Sequence, residues 1–323
     1  EKDCCFRYNK IKKRGVLVMK FEFKSLFDLQ SAFPDEQSCI DHLENIIWGD
    51  VIISPFDATS KVYKCKGNKY RCKNTGKYFN VKTGTLFDNT KIELRKWFMA
   101  IWLVTSHKKG ISSVQLSKDI GVTQKTAWFM LERIRKCFGT ENNNRLDDVV
   151  EVDETYIGGK NKNRHNSKKV KNAQGRSLKD KSAVVGMVQR QGKVNAHHVP
   201  DTKTKTLTEQ IVKYVKETAK LYTDEWLGYN KVAKMYNHDF VNHGTSEYVQ
   251  GDVYTNTIEG FWAGLKRGVL GIYHSWSKKY LQDYVDEFVF RYNTRDYSDS
   301  ERFNLLISNA CVRTKYRELI YGY

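Results

Sequence analysis

The sequence is poor in proline and has neither a long apolar run nor an even set of cysteines. Three prolines in 323 residues leave no material for a Pro-rich linker. No stretch approaches ~20 uninterrupted apolar residues, which argues against a membrane-spanning helix. The first residues, EKDCCFRYNKIKKRGVLVM, lack the apolar core of a secretory leader. The cysteines Cys4, Cys5, Cys39, Cys65, Cys72, Cys137 and Cys311 are odd in number and irregularly spaced. Without a leader they read as free thiols in a reducing, cytoplasmic compartment. No Gly-x-Ser-x-Gly occurs, which removes the nucleophile-elbow hydrolases. GGKNKNRHNSKK has the glycines and lysines of a Walker loop but not its spacing.

What the chain does have is positive charge. Lys+Arg number 55 against 37 Asp+Glu, a formal net charge of +18. The excess is not spread evenly: residues 1–20 carry +5, residues 21–50 carry −6 and residues 51–146 carry +13. Lys160 to Lys181 adds nine basic residues against the single Asp180. A focused excess of this kind suits a polyanion, nucleic acid before a membrane surface. Hydrophobic residues at 40% are enough to build about two domain cores.

The patterning predicts a mixed α/β protein. We set residues 1–18 aside, because the first methionine is Met19. A basic tail over 1–20 precedes a helical segment over 21–50, in which Ser25 and Ser38 can cap. A small β-ribbon is expected over 51–90, where VYKCKG, KYRCK and KYFNVKTGT alternate between glycines. Residues 91–140 turn helical. Within them, Ser112 or Ser113 caps a short helix through Ile120, Gly121 turns the chain, and Thr123 caps a second helix through Phe138. Two helices about a glycine turn in a basic module read as helix-turn-helix, with Gln124, Lys125 and Thr126 opening the recognition helix. Residues 147–298 run β-β-β-α-β-α-α, with a hairpin turn near Gln191-Gly192 and helices over Thr204–Ala219, Thr257–Lys266 and Ser277–Asn293. Residues 299–323 are left as a tail.

Three carboxylates stand out in that last region. Asp153 follows a valine-rich strand, Asp224 ends the next strand, expected parallel to it, and Glu259 lies on a helix. Strand ends are where α/β sheets place their sites, and converging carboxylates suit hard cations such as Mg²⁺. Strand alternation allows only one of Asp153/Glu154 and one of Asp224/Glu225 into a given site, and the aspartates are preferred. Lys266 is two helical turns after Glu259, where it can bind a phosphate or pair with Glu259. His197-His198 reads as structural, whereas His243 and His274 flank the Glu259 region.

On these residues the sequence resembles a known family. VEVDETYIGGKNKNRH, YTDEWLGYN and GDVYTNTIEGFWAGLKRGVLGIYHSWSKKYLQDYVDEFVFRYN look like the catalytic domain of ISXO-type bacterial insertion-sequence transposases. KKGISSVQLSKDIGVTQKTAWFMLERIR is similar to that family's helix-turn-helix. The resemblance implies an RNase H-like fold with Asp153, Asp224 and Glu259 as catalytic and metal-binding residues. They would hold two Mg²⁺ (or Mn²⁺) ions for cleavage and transfer of DNA strands at terminal inverted repeats. Lys266 is carried over as the basic residue after the third acid. Asn256 is a supporting candidate, because some related elements are described with asparagine as the third catalytic residue. The family's zinc ribbon departs from its pattern here. Ser54-Pro55-Phe56-Asp57 stands at the first Cys-x-x-Cys knuckle and Cys72-Lys73-Asn74-Thr75 at the second, so zinc is not expected. Val62, Tyr70, Tyr78, Phe79 and Leu86 would then have to hold the ribbon.

The expected protein is a DNA transposase acting on double-stranded DNA, both element ends and target, as a homo-oligomer on DNA, with no membrane partner. Lys160, Lys162, Arg164, Lys168 and Lys169 are expected in a DNA-binding loop beside the site. Two alternatives stay open: a catalytically idle DNA-binding protein derived from such a transposase, and a nuclease that cuts without joining.

Overall fold

The computed structural model describes residues 22–158, 165–171, 177–224, 227–241, 254–274 and 276–321. The chain divides into two compact units. One runs to Cys137 and resumes at Tyr297, and the other spans Phe138–Asp296.

The first unit opens with α1 (Leu26–Ala32) and α2 (Glu36–Trp48). Ser25 caps α1, its side chain accepting from the Asp28 amide. Ser38 does not start a helix as expected. Asp35 is the cap of α2 and Ser38 is the third residue in, completing a reciprocal capping box. The ribbon is a three-stranded antiparallel sheet in the order β1 (Val62–Cys65), β2 (Lys69–Cys72), β3 (Tyr78–Phe79). Alternation puts Tyr70, Cys72 and Phe79 inward with Val62 packed against them. Tyr78 falls on the other face and is 61% exposed, so it does not hold the ribbon as expected.

α3 (Leu94–Ser106) buries Leu94, Trp97, Phe98, Ile101 and Trp102. α4 (Ser113–Asp119) starts on Ser112, and α5 (Gln124–Arg135) starts on Thr123. Between them Gly121 sits at φ +62°, a backbone conformation that glycine takes without strain. α5 ends at Arg135, three residues short of the expected Phe138.

The segment after Asp296 is not a tail. α9 (Asp299–Ser308) starts with a Ser298/Glu301 capping box and buries Phe303, Leu306 and Ile307, and α10 (Tyr316–Tyr321) follows. Phe303 meets Phe23 at 5.1 Å and Phe98 at 5.4 Å between ring centroids, and the Leu86 amide donates to the Ala310 carbonyl. An amphipathic helix with its own cap has an apolar face that needs cover, and the core of the first unit supplies it.

The second unit is a five-stranded sheet with helices on both faces. Its strands are β4 (Val149–Ile157), β5 (Ser182–Gln189), β6 (Val194–Val199), β7 (Lys220–Asp224) and β8 (Asn237–Val241), in the order β6-β5-β4-β7-β8. β4 pairs antiparallel with β5 and parallel with β7, and β7 pairs parallel with β8. The expected strand order omitted β8. The β5–β6 hairpin turns through Gln191 at φ 55°. α6 (Thr204–Tyr214) packs Leu207 and Ile211 with Val150, Val152 and Val185 on one face. It stops short of the expected Ala219 because Val215 is extended and bridges to Leu146. α7 (Asn256–Gly268) and α8 (Leu281–Asn293) cover the other face, packing Ile258, Trp262, Val285 and Val289 with Val184 and Val188. Among the described residues no helix is long and apolar enough to cross a membrane.

Candidate active site

Alternation along β4 divides its acids between the two faces. Val150 and Val152 pack toward α6. Glu154 lies on that same face, buried, and accepts a 2.7 Å bond from the Tyr229 hydroxyl. Glu151 and Asp153 therefore face α7. The parallel register pairs Val149 with Lys220 and Glu151 with Tyr222. Continued by two residues, it brings Asp224 level with Asp153 on the adjacent strand. Glu225 lies outside the described residues.

Asp153 is held in place from two sides. On β5 its partner is Gly186. The missing side chain there lets the indole of Trp262 of α7 come close against the strand, and its Nε1 donates to Asp153 Oδ2 at 3.0 Å. Burial pushes the Asp153 carboxyl up to about 6. The neighbouring Asp224 and Glu259 charges add to that rise, while the Glu154 amide and the Trp262 indole work against it. A carboxyl that two other carboxylates repel marks a point where a cation would relieve charge. Asp153, Asp224 and Glu259 are hard oxygen donors, the kind that a divalent metal of the Mg²⁺ class takes. Among the described residues, no three such side chains are gathered closely enough to grip an ion unaided.

Glu259 is in the first turn of α7 and is exposed. Asn256 is the first residue of that helix and Lys266 lies in its last turn, both exposed. His274 follows the helix at φ 59°, exposed, and His243 lies outside the described residues. His197 stacks on Tyr214 at 4.2 Å on the α6 face. Trp262 and Gly186 were not read from the sequence as site residues. The one local trace of them is a glycine inside the otherwise bulky strand SAVVGMVQ, where a close neighbour is the usual reason.

In the first unit, Lys125 is exposed and its ammonium lies 6.0 Å from the Tyr316 ring centroid. Gln124 Nε2 donates to Ser113 Oγ at 2.8 Å, and the Thr126 hydroxyl is 2.9 Å from that of Thr123. Both side chains are thus bonded within the pair of helices. Lys160, Lys162 and Arg164 lie outside the described residues, as does the Lys168 side chain, while Lys169 is exposed.

The donor set at the ribbon knuckles does not fit zinc. Ser54 is buried, and Asp57 accepts from Thr59 and from Asn74 Nδ2. Burial pushes the Cys72 thiol up, but hydrogen bonds from Ser54, Ser60 and Thr75 outweigh it and hold the thiol down at about 6. Cys72 pairs with Val62, whereas Cys65 pairs with Lys69, so the two sulfurs leave opposite faces of the ribbon. They cannot share one ion.

The family model of the ISXO2-like transposase domain matches residues 145–293. This segment is similar to that domain. The match covers β4 to α8 and so contains the whole five-stranded sheet of the second unit. Over 276 residues the chain is 28% identical to an uncharacterized protein in transposable element ISH50 of Halobacterium salinarum, spanning 80% of this chain and 91% of the relative. Two solved structures align at 10% identity. A pre-cleavage Mos1 transpososome covers 63% of this chain and 75% of its own, with a TM-score of 0.25. The Mos1 Strand Transfer Complex covers 68% and 79%, with a TM-score of 0.28.

Proposed function

We propose that the chain is a DNA transposase that binds the terminal inverted repeats of an insertion sequence, cleaves a strand at each end and transfers it to target DNA. The observation that carries this reading is the parallel register of β4 and β7, which extended by two residues sets Asp224 level with Asp153, with the Asp224 and Glu259 charges both raising the Asp153 carboxyl. A central strand β4 with the antiparallel β5–β6 hairpin on one side and the parallel strands β7 and β8 on the other supports an RNase H-like domain.

Asp153, Asp224 and Glu259 would hold two Mg²⁺ or Mn²⁺ ions. Bound metal of this class lowers the cost of forming a nucleophile from water or a 3′-hydroxyl and balances charge on the departing oxygen. The residues of the chain do the rest. Trp262 fixes the rotamer of Asp153. Lys266, two turns along α7 from Glu259, reaches toward a substrate phosphate, and Asn256 stands at the entrance of the same helix.

DNA would be held chiefly by the basic parts. On the outer face of the ribbon Tyr63, Arg71 and Tyr78 stand opposite one another across three strands, with Lys69 beside them. Residues 58–87 contain eight basic residues and no acid. Such a surface suits phosphates and exposed bases. α5 would read base edges through Gln124, Lys125 and Thr126, with Gln124 exchanging its bond to Ser113 for one to DNA. Lys160, Lys162, Arg164, Lys168 and Lys169 would add phosphate contacts, and the active assembly on DNA would be a homo-oligomer.

A strand-transfer assay with labelled element ends tests the reading. Asp153→Ala, Asp224→Ala and Glu259→Ala should each abolish cleavage while end binding survives. Binding without cleavage in the unaltered protein would leave an idle DNA-binding protein, and cleavage without joining would leave a nuclease. Full activity in Glu259→Ala with loss in Asn256→Ala would move the third metal position to Asn256.

A further inference from the structure

The helix that carries Glu259 has no cap of its own. Thr255, at its N-cap, makes no side-chain capping bond. The cap comes instead from strand β4. Glu151, wholly buried, accepts from the Thr257 amide at 2.9 Å, the Ile258 amide at 3.0 Å and the Thr257 hydroxyl at 2.8 Å. These amides are the second and third of α7, two of the four that no helix can satisfy from within. A carboxylate there also meets the positive end of the helix dipole.

Arg190 completes the arrangement. Its Nε donates to Glu151 Oε1 at 2.8 Å and its Nη2 donates to the Tyr254 carbonyl at 2.9 Å. The guanidinium lies 3.5 Å from the Tyr254 ring centroid and 4.7 Å from that of Tyr222. Burying a carboxylate is costly unless it is paired and fully bonded, and here both conditions are met. The clamp sits at corresponding steps on the two elements it joins. Glu151 is two residues before Asp153, on the same face of β4, and Thr257 is two residues before Glu259.

We propose that Glu151 is a positioning residue that fixes the Glu259 carboxylate against Asp153 by clamping the start of α7 to strand β4, with Arg190 as its counter-ion. This rests on the active-site reading above. Glu151 contacts neither substrate nor metal. It acts by removing slack between two metal-binding carboxylates supplied by different elements, which lowers the cost of gathering them around an ion.

The test uses the full chain carrying Glu151→Gln, which keeps the size and one carbonyl acceptor. Metal-free hydrogen exchange at the Thr257 and Ile258 amides should quicken by about tenfold, with the sheet amides unchanged. Binding to an element end should match the unaltered protein. The Mg²⁺ concentration giving half-maximal cleavage should rise about tenfold, with most of the rate recovered at high Mg²⁺. Thr257→Ala, which removes a single donor to Glu151, should shift both readouts less and in the same direction, and it decides the matter if Glu151→Gln does not fold. An unchanged Mg²⁺ requirement in the folded variant, or lost cleavage with unchanged exchange at the two amides, overturns the proposal. Asp153→Asn separates the two layers. If it cleaves normally, the active-site reading has failed; if it is dead while Glu151→Gln is normal, only the clamp has failed.

Discussion

Trp262 lies across Gly186 so closely that a Cβ on Gly186 would fall 2.5 Å from the indole Cζ2 and 2.6 Å from Cη2. The same indole donates to Asp153, which is the β4 partner of Gly186. Gly186→Ala should therefore displace Trp262 and cost about 1–3 kcal/mol by overpacking. Trp262→Phe, with a shorter ring, should recover part of that loss in the double variant. Thermal denaturation of the two single variants and the double variant measures the coupling. Additive losses would show that the two residues do not act through one contact.

Zinc should not stabilise the ribbon. One sulfur at the knuckle positions, bonded by Ser54, Ser60 and Thr75, cannot close a tetrahedral site. Elemental analysis of the purified chain should give well under one zinc, and a chelator should leave its melting point unchanged. Cys72→Ala should lower that melting point by removing the acceptor those hydroxyls share. One tightly held zinc per chain would contradict this.

The C-terminal helices should stabilise the first unit. Phe303 is fully buried among Phe23, Phe33 and Phe98. Phe303→Ala should cost that unit about 3–5 kcal/mol, read as faster hydrogen exchange at the buried amides of α3. If residues 299–321 were a loose tail, exchange there would not change.

Acid should weaken both units through buried histidines. Burial holds His42 down at about 4 from an ordinary value of 6.5. Burial, assisted by Lys213, does the same to His197, also to about 4. A depressed value means that the unfolded chain takes up the proton first. The stability each neutral ring contributes is then full above pH 6.5 and is lost as pH falls toward 4, by up to about 3 kcal/mol per histidine. His42→Phe should flatten this slope for the first unit in urea titrations at stepped pH. An unchanged slope would place the acid sensitivity elsewhere.

Features that depend on a few neighbouring residues were determined by the sequence alone. The caps Ser25, Ser112 and Thr123, the glycine turn at Gly121 and the hairpin at Gln191-Gly192 follow from local backbone chemistry. Strand alternation was enough to send Asp153 and Glu154 to opposite faces, and helical periodicity was enough to set Glu259 and Lys266 on one helix. The tertiary structure decided everything that needs a partner far along the chain. Asp153 finds Trp262 109 positions away, and Glu151 finds Thr257 106 positions away. β8 exists because β7 offers it an edge, and α9 is ordered because Phe23, Phe33 and Phe98 cover its apolar side. α6 ends early because Val215 is drawn into a bridge with Leu146. The cap and apolar face of α9 are local, but the partner of each of these contacts is not, because the energy that fixes it comes from surfaces that meet only when the chain has folded.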